Sequence, residues 1–299
     1  MTALPVIAAV DGSGHSLRAL DWALAAASQR GVEVLIVHVW SWPPNAHSLA
    51  STEPMAPPAG QDPVLDWVRE RLAERKALPE VRYTTLSGAP AAALPDMSGH
   101  GQLLVLGSRG RGGFTSLLLG SNGRAAAARA TCPVVVVPHR DRAGETDTES
   151  HGRVVLGLEP GETSTEVVEF ALSEAQRSEA LLQVVTTHAV PFSTLALLGN
   201  YPDPGEGEGP AIAKIAEDAQ RERLRPFLQG RFKDVQVEHI VAPGDAAGRL
   251  VAASESADLV VVGKHRHRLR PPSFSLGSVA NAVLLHARCP IAAVPAGSH

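Results

Sequence analysis

The sequence repeats itself, and a repeat constrains a fold before any single element does. Asp11-Gly12-Ser13-Gly14-His15-Ser16 leads into Trp22-Ala23-Leu24, and 148 residues later Glu159-Pro160-Gly161-Glu162-Thr163-Ser164 leads into Phe170-Ala171-Leu172. Leu103–Gly107 returns as Leu259–Gly263 at an offset of 156, and Cys132–Pro138 returns as Cys289–Pro295 at an offset of 157. Gly88 precedes Gly107 by 19 residues, and Gly244 precedes Gly263 by the same 19. Order and spacing held over most of each copy imply one folding unit used twice. The expected domains are residues 1–139 and 153–299, joined by the polar stretch 140–152, which has linker composition.

Length agrees, since 299 residues suit two units of roughly 150. With 44% apolar and 19% charged residues, each copy can bury a core. The formal charge of −4 argues against a chain-wide basic surface for nucleic acid. Two cysteines, neither in a C-x-x-C pair, exclude a disulfide framework, a zinc ribbon and thioredoxin-type chemistry. No apolar run approaches the roughly 18 residues of a membrane span. Met1–Pro5 lacks the basic start of a secretion signal, so the expected location is the cytoplasm.

Strand and helix signals alternate within each copy. Val6–Val10 and Val34–Val39 are short continuous apolar runs, as expected of strands covered on both faces. Between them Leu17, Leu20, Leu24 and Ala27 recur at helical spacing, and Gly31 suits the helix stop. A Pro-rich loop, Trp42–Gln61, ends at Asp62-Pro63, which reads as N-cap and first helical residue. Leu65, Val68 and Leu72 supply that helix's buried stripe, and Val81, Tyr83 and Thr85 alternate as a strand. Pro90–Leu94 allows only a short helix, because Pro95 interrupts it. Gln102–Leu106 and Pro133–Val137 are strands flanking a helix at Ser121–Ala130. In the second copy Thr163 and Glu166 have capping-box spacing, and Pro210 opens a helix after the loop Phe192–Gly209. Alternating strands and helices with right-handed crossovers predict an α/β fold, two tandem Rossmann-like domains with five parallel strands each.

Ligands bind such sheets beyond the carboxyl ends of the strands. Three segments meet there in the first copy: Asp11–Ser13, Val39, and the turn from Gly107 onward. That turn reads Gly107-Ser108-Arg109-Gly110-Arg111-Gly112-Gly113, continues to Leu119, and opens a helix at Gly120-Ser121-Asn122. Clustered glycines let backbone N–H groups approach an anion, the helix start adds its dipole, and Arg109 and Arg111 add charge. The arrangement predicts a phosphate cradle; the plainer alternative is a surface loop without a ligand. It is not a P-loop, because G-x-x-x-x-G-K-[ST] is absent, as is G-x-G-x-x-G after the first strand.

The spacing Gly107-x2-Gly110-x9-Gly120-Ser121, with Val10-Asp11-x-Ser13, His38-Val39 and Gly88-x-Pro90, resembles the universal stress protein family, in its tandem actinobacterial form. The resemblance implies an adenine nucleotide alpha hydrolase-like fold with strand order 3-2-1-4-5. It also implies ATP, with or without Mg2+, in the crevice. Asp11 would then lie near the nucleoside, Val39 and Gly88 around the adenine, and Gly107, Gly110, Gly120 and Ser121 around the phosphates. Single-copy members dimerise through the fifth strand. The two copies here are therefore expected to pair through Pro133–Val137 and Pro290–Val294, with further homodimerisation left open. The implied role is a nucleotide-dependent stress or signalling regulator. The alternatives are a slow ATPase, with Asp11 or Ser121 serving the water or a metal, and an interaction module that binds cyclic AMP or no nucleotide.

The second copy departs from the pattern. Glu159 replaces the aspartate, Gly161 replaces Ser13, and Arg266 stands where Gly110 stood. One residue is inserted before Gly277-Ser278, so nucleotide binding is expected in the first copy alone. Lys264, Arg266, Arg268 and Arg270, with His265 and His267, read either as a site for phosphate-rich partners or as a solvated basic turn. Cys132 and Cys289 are expected to pack rather than react, and His38 to be a satisfied structural histidine. Trp40 and Trp42 read as cover for the core edge, with base stacking as the alternative.

Overall fold

A computed structural model describes residues 3–41, 61–110, 119–138, 150–159, 161, 163–188, 209–264 and 276–296. The first half runs β1 (Val6–Val10), α1 (Gly14–Arg30), β2 (Val34–Trp40), α2 (Pro63–Ala73), β3 (Val81–Ser87), α3 (Pro90–Met97), β4 (Leu103–Gly107), α4 (Ser121–Arg129) and β5 (Val134–Val137). The second repeats it as β6 (Arg153–Gly157), α5 (Thr165–Arg177), β7 (Leu181–His188), α6 (Gly209–Leu228), β8 (Val237–Pro243), α7 (Ala246–Ala253), β9 (Leu259–Lys264), α8 (Ser278–His286) and β10 (Ile291–Pro295).

The caps follow the local chemistry. Ser13 caps α1, its Oγ accepting from Ser16 N at 3.2 Å, and Gly31 closes the helix at φ 64°. Asp62 caps α2, with Oδ1 accepting from Val64 N and Leu65 N at 3.0 and 3.3 Å, and Pro63 follows. Two expectations need correction. Helix α3 continues past Pro95 to Met97. Proline removes the N–H that would reach Ala91 O, and Arg129 Nη1 donates to that carbonyl instead, at 3.3 Å. Ser164 holds the N-cap position of α5, with no side-chain cap among the described residues, and Thr163 forms no capping box, because its hydroxyl already accepts from Glu159 N at 2.8 Å.

Each half has strand order 3-2-1-4-5, all parallel, and the halves join into one ten-stranded sheet, β3-β2-β1-β4-β5-β10-β9-β6-β7-β8. The join is antiparallel, with Val136 opposite Ile291, Val135 opposite Ala292 and Val134 opposite Ala293. Both fifth strands would otherwise be open edges, and pairing them removes that liability. Alternation along the strands then splits the core in two. Val6, Ala8, Val10 and Ile36 pack with α1 and α2, while Ile7, Val37, Leu104 and Leu106 pack with α3 and α4; the second half does the same. This leaves each half's ligand-facing strand ends on the sheet's rim.

Candidate functional site

The first half carries a cleft of about 710 Å³ at the carboxyl ends of β1, β2 and β4, within the roughly 300–1,000 Å³ of small-molecule sites. Asp11 stands where β1 turns into α1. Its Oδ1 accepts from Ser13 N at 3.0 Å and from Ser13 Oγ at 2.6 Å, which fixes the carboxylate. Gly12 makes that turn possible with φ 77°.

The far wall is built from β4 onward. Ser108 N donates to Val137 O at 2.9 Å and Gly120 N donates to Ser108 O at 2.9 Å, which holds the start of α4 against the end of β4. Gly120 is then the N-cap of α4, with no side chain among the described residues capping it. Gly120, Ser121, Asn122 and Gly123 all line the cleft, so an uncapped helix start, able to satisfy an anion, belongs to its wall. Arg109 lines it too, and its Nε is buried without a hydrogen bond among the described residues.

Two glycines are required here by close approach. A Cβ on Gly107 would lie 2.8 Å from His15 O, against the first turn of α1. A Cβ on Gly110 would lie 2.6 Å from Asp11 Oδ2, and Gly110 does not adopt a left-handed backbone. The constraint at Gly110 is thus space beside the carboxylate, not a positive φ.

Of the residues singled out from sequence, Asp11, Val39, Gly107, Arg109, Gly110, Gly120, Ser121 and Asn122 line this one cleft. Ser13 and Gly88 do not. Ser13 acts through Asp11, and Gly88, at φ 121°, donates its N–H to Trp40 O at 3.1 Å, holding the end of β2. Arg111, Gly112 and Gly113 lie outside the described residues, as does Trp42.

Sequence reasoning missed the partner of His38. His38 Nδ1 lies 2.7 Å from Asp62 Oδ2, and Thr85 Oγ1 donates to the same oxygen at 2.7 Å. Burial acts to raise the Asp62 carboxyl, but these hydrogen bonds and the charge of His38 outweigh it and hold the group below its ordinary value. His38 is therefore a satisfied structural histidine at the cleft's edge. Asp62 was visible only as a helix cap, and nothing in the spacing announced its second role.

The second-half cleft is smaller, about 230 Å³, and is lined by Leu158, Glu159, Val167, Leu250, Gly263 and Lys264 among others. Lys264 corrects the reading of a solvated basic turn at its own position. It is the last residue of β9, buried, and its Nζ donates to Ala130 O of the first half at 2.8 Å. Burial lowers its amine to about 8, although the neighbouring Cys132 thiol acts the other way. Burial also raises Cys132 to about 11, which suits a packing role. Residues 265–270, with the other basic side chains, lie outside the described residues.

The universal stress protein family model matches residues 4–138 and again 151–295. Universal stress protein Rv2005c of Mycobacterium tuberculosis is 32% identical over 294 residues, covering 96% of this chain and 95% of that protein. Rv1996 of the same organism is 28% identical over 310 residues, covering 97% and 94%. The crystal structure of a universal stress protein from Archaeoglobus fulgidus shares the fold, with a TM-score of 0.61 at 16% identity over 99% of this chain and 98% of that one. The double match, on top of a duplicated 3-2-1-4-5 sheet, means that this chain belongs to the universal stress protein family and carries its domain twice.

Proposed function

We propose that the first half binds an adenine nucleotide, ATP, and that the chain acts as a nucleotide-dependent stress regulator. One observation carries the reading: a fixed carboxylate, a helix start without a side-chain cap and an arginine Nε without a partner among the described residues meet in a cleft of ligand size. The charge pattern suits a nucleoside polyphosphate from end to end. Val39 and Trp40 offer an apolar wall and backbone polar groups to the base. Asp11, acceptor-only when ionised, takes the ribose hydroxyls. The Gly107–Gly110 backbone, the amides of Ser121 and Asn122, and Arg109 take the phosphates, where a triphosphate offers more acceptors than a cyclic monophosphate.

Calorimetry of the purified chain tests this. ATP should bind saturably with a Kd at or below about 10 µM, roughly −7 kcal/mol. No saturable heat at millimolar ATP overturns the reading, and tight cyclic AMP binding without ATP binding replaces the ligand. Phosphate release faster than about 1 s⁻¹, an ordinary enzymatic rate, would make the protein an ATPase first.

A further inference from the structure

The two halves meet about a local twofold axis. Val135 lies opposite Ala292 in the β5–β10 ladder, and the offset of 157 between the copies makes these two residues each other's counterparts. A backbone paired in this way is symmetric, so the same ladder could form between two first halves or between two second halves. The side chains at the junction separate the three combinations.

In the ladder Val134, Val135 and Val136 face Ala293, Ala292 and Ile291, all fully buried. Two first halves would set Val135 against Val135, and two second halves Ala292 against Ala292. One buried position would be overfilled in the first case and underfilled in the second. Charge discriminates more strongly. Arg30 of the first half donates Nη2 to Glu174 Oε1 of the second, and both side chains are buried. At the offset of 148 that aligns α1 with α5, the counterpart of Glu174 is Ala26 and that of Arg30 is Ser178. Two first halves would therefore bury two guanidiniums opposite alanines. Two second halves would set each Glu174 opposite a serine, with Arg177 alone as its partner. A buried charge that loses its partner is strongly unfavourable. Lys264 acts in the same sense. Its Nζ donates to Ala130 O across the junction at 2.8 Å, and the first half has Ser108 at that position, so two first halves lose this bond as well.

We infer that the junction face selects its partner: each half fits the unlike half of this chain and rejects a copy of itself, with Arg30 and Glu174 as the specificity-determining pair. Two copies of the chain can then meet through β5 and β10 only by exchanging unlike halves. The selection is independent of nucleotide binding in the first half.

A protease site placed within residues 140–149 lets the folded chain be cut between its halves. The two pieces are separated in urea, remixed and returned to buffer, and native mass spectrometry counts the pairs that re-form. Without selection, unlike pairs would be only twice as frequent as either like pair. The wild type should instead give about tenfold or more unlike pairs over all like pairs, and Arg30→Ala/Glu174→Ala should bring that ratio down at least about fivefold. Near-random pairing in the wild type overturns the inference, and so does an excess that the double variant leaves unchanged. Should the pieces fail to refold, the uncut chain decides, because pairing of like halves then needs two chains. Refolded at high concentration, the wild type should return as single chains by light scattering and the double variant partly as two-chain species. Equal proportions of two-chain species in both would overturn the inference.

Discussion

Arg30 Nη2 and Glu174 Oε1, 144 residues apart in the chain, meet at 2.5 Å across the junction of the two halves, with side chains only 5% and 6% exposed. The carboxylate also receives Arg177 Nη1 at 2.6 Å, and Arg30 Nη1 donates to Ala26 O at 2.9 Å. One anion therefore serves two guanidiniums, and the partners are not equivalent. Glu174→Ala leaves Arg30 buried with a single carbonyl and should cost about 3–5 kcal/mol, as when a buried pair loses one member. Arg30→Ala leaves Glu174 still paired to Arg177 and should cost about 1–3 kcal/mol. Denaturant unfolding of the two variants checks the order; a larger loss for Arg30→Ala would contradict the shared-anion arrangement.

The junction also titrates. Lys264 keeps its proton up to about 8 in the folded chain, against the 10.5 of an unperturbed lysine, so between those values the unfolded state holds more protons. Stability should therefore rise with pH through that window. Cys132 has the opposite sign, because its thiol persists to about 11 when folded and to 9.0 when unperturbed, so stability falls between those values. The two oppose each other above pH 9, which leaves pH 8 to 9 as the interval where Lys264 acts alone. Across it the unfolding free energy of the wild type should gain about 1 kcal/mol relative to Lys264→Met. Parallel curves would mean that the amine is not buried in solution.

The cleft makes a sharp demand at Gly110. Any Cβ there would sit 2.6 Å from Asp11 Oδ2, so even alanine must displace the carboxylate that Ser13 fixes. Gly110→Val should lower nucleotide affinity at least tenfold, since it disturbs both the Asp11 carboxylate and the approach of the backbone to phosphate. Gly110 is exposed, so the unliganded melting temperature should move by no more than about 2 °C. Binding by titration and melting by circular dichroism separate the two effects, and unchanged affinity in a folded variant would remove Gly110 from the site.

What was legible in the sequence is what repeats or has a local cause. The apolar runs of β1 and β4, the Asp62-Pro63 helix start and the glycine spacing from Gly107 to Gly120 each act within a few residues, and copying at a fixed offset made them conspicuous. The illegible part depends on contacts between distant segments. Lys264 looked like one cation of a surface run, but the antiparallel β5–β10 pairing brings Ala130 to its ammonium. Pro95 looked like a helix stop, but Arg129 supplies a donor for the freed carbonyl. At Gly110 the residue type was readable while its reason was not, because the obstructing oxygen comes from 99 positions earlier.

The same asymmetry between halves governs stoichiometry. The first cleft has about 710 Å³, an aspartate locked by Ser13, and a glycine at 110 that leaves room beside it. The second has about 230 Å³, a longer exposed Glu159, and the Lys264 side chain where Ser108 stands in the first. Volume acts first: the larger cleft suits a nucleoside triphosphate better than the smaller, whose walls include the buried side chains of Val167 and Leu250. Charge does not compensate. The ammonium attracts phosphate, but its interaction with a ligand held outside the cleft is screened within about 8 Å at 0.15 M salt. Titration with ATP at physiological salt should therefore give one site per chain, removed by Gly110→Val and left in place by Lys264→Met. Two equal sites that both survive 0.5 M salt would show that the smaller cleft opens at a cost the nucleotide overcomes, and that the substitutions at Glu159 and Lys264 are neutral for binding.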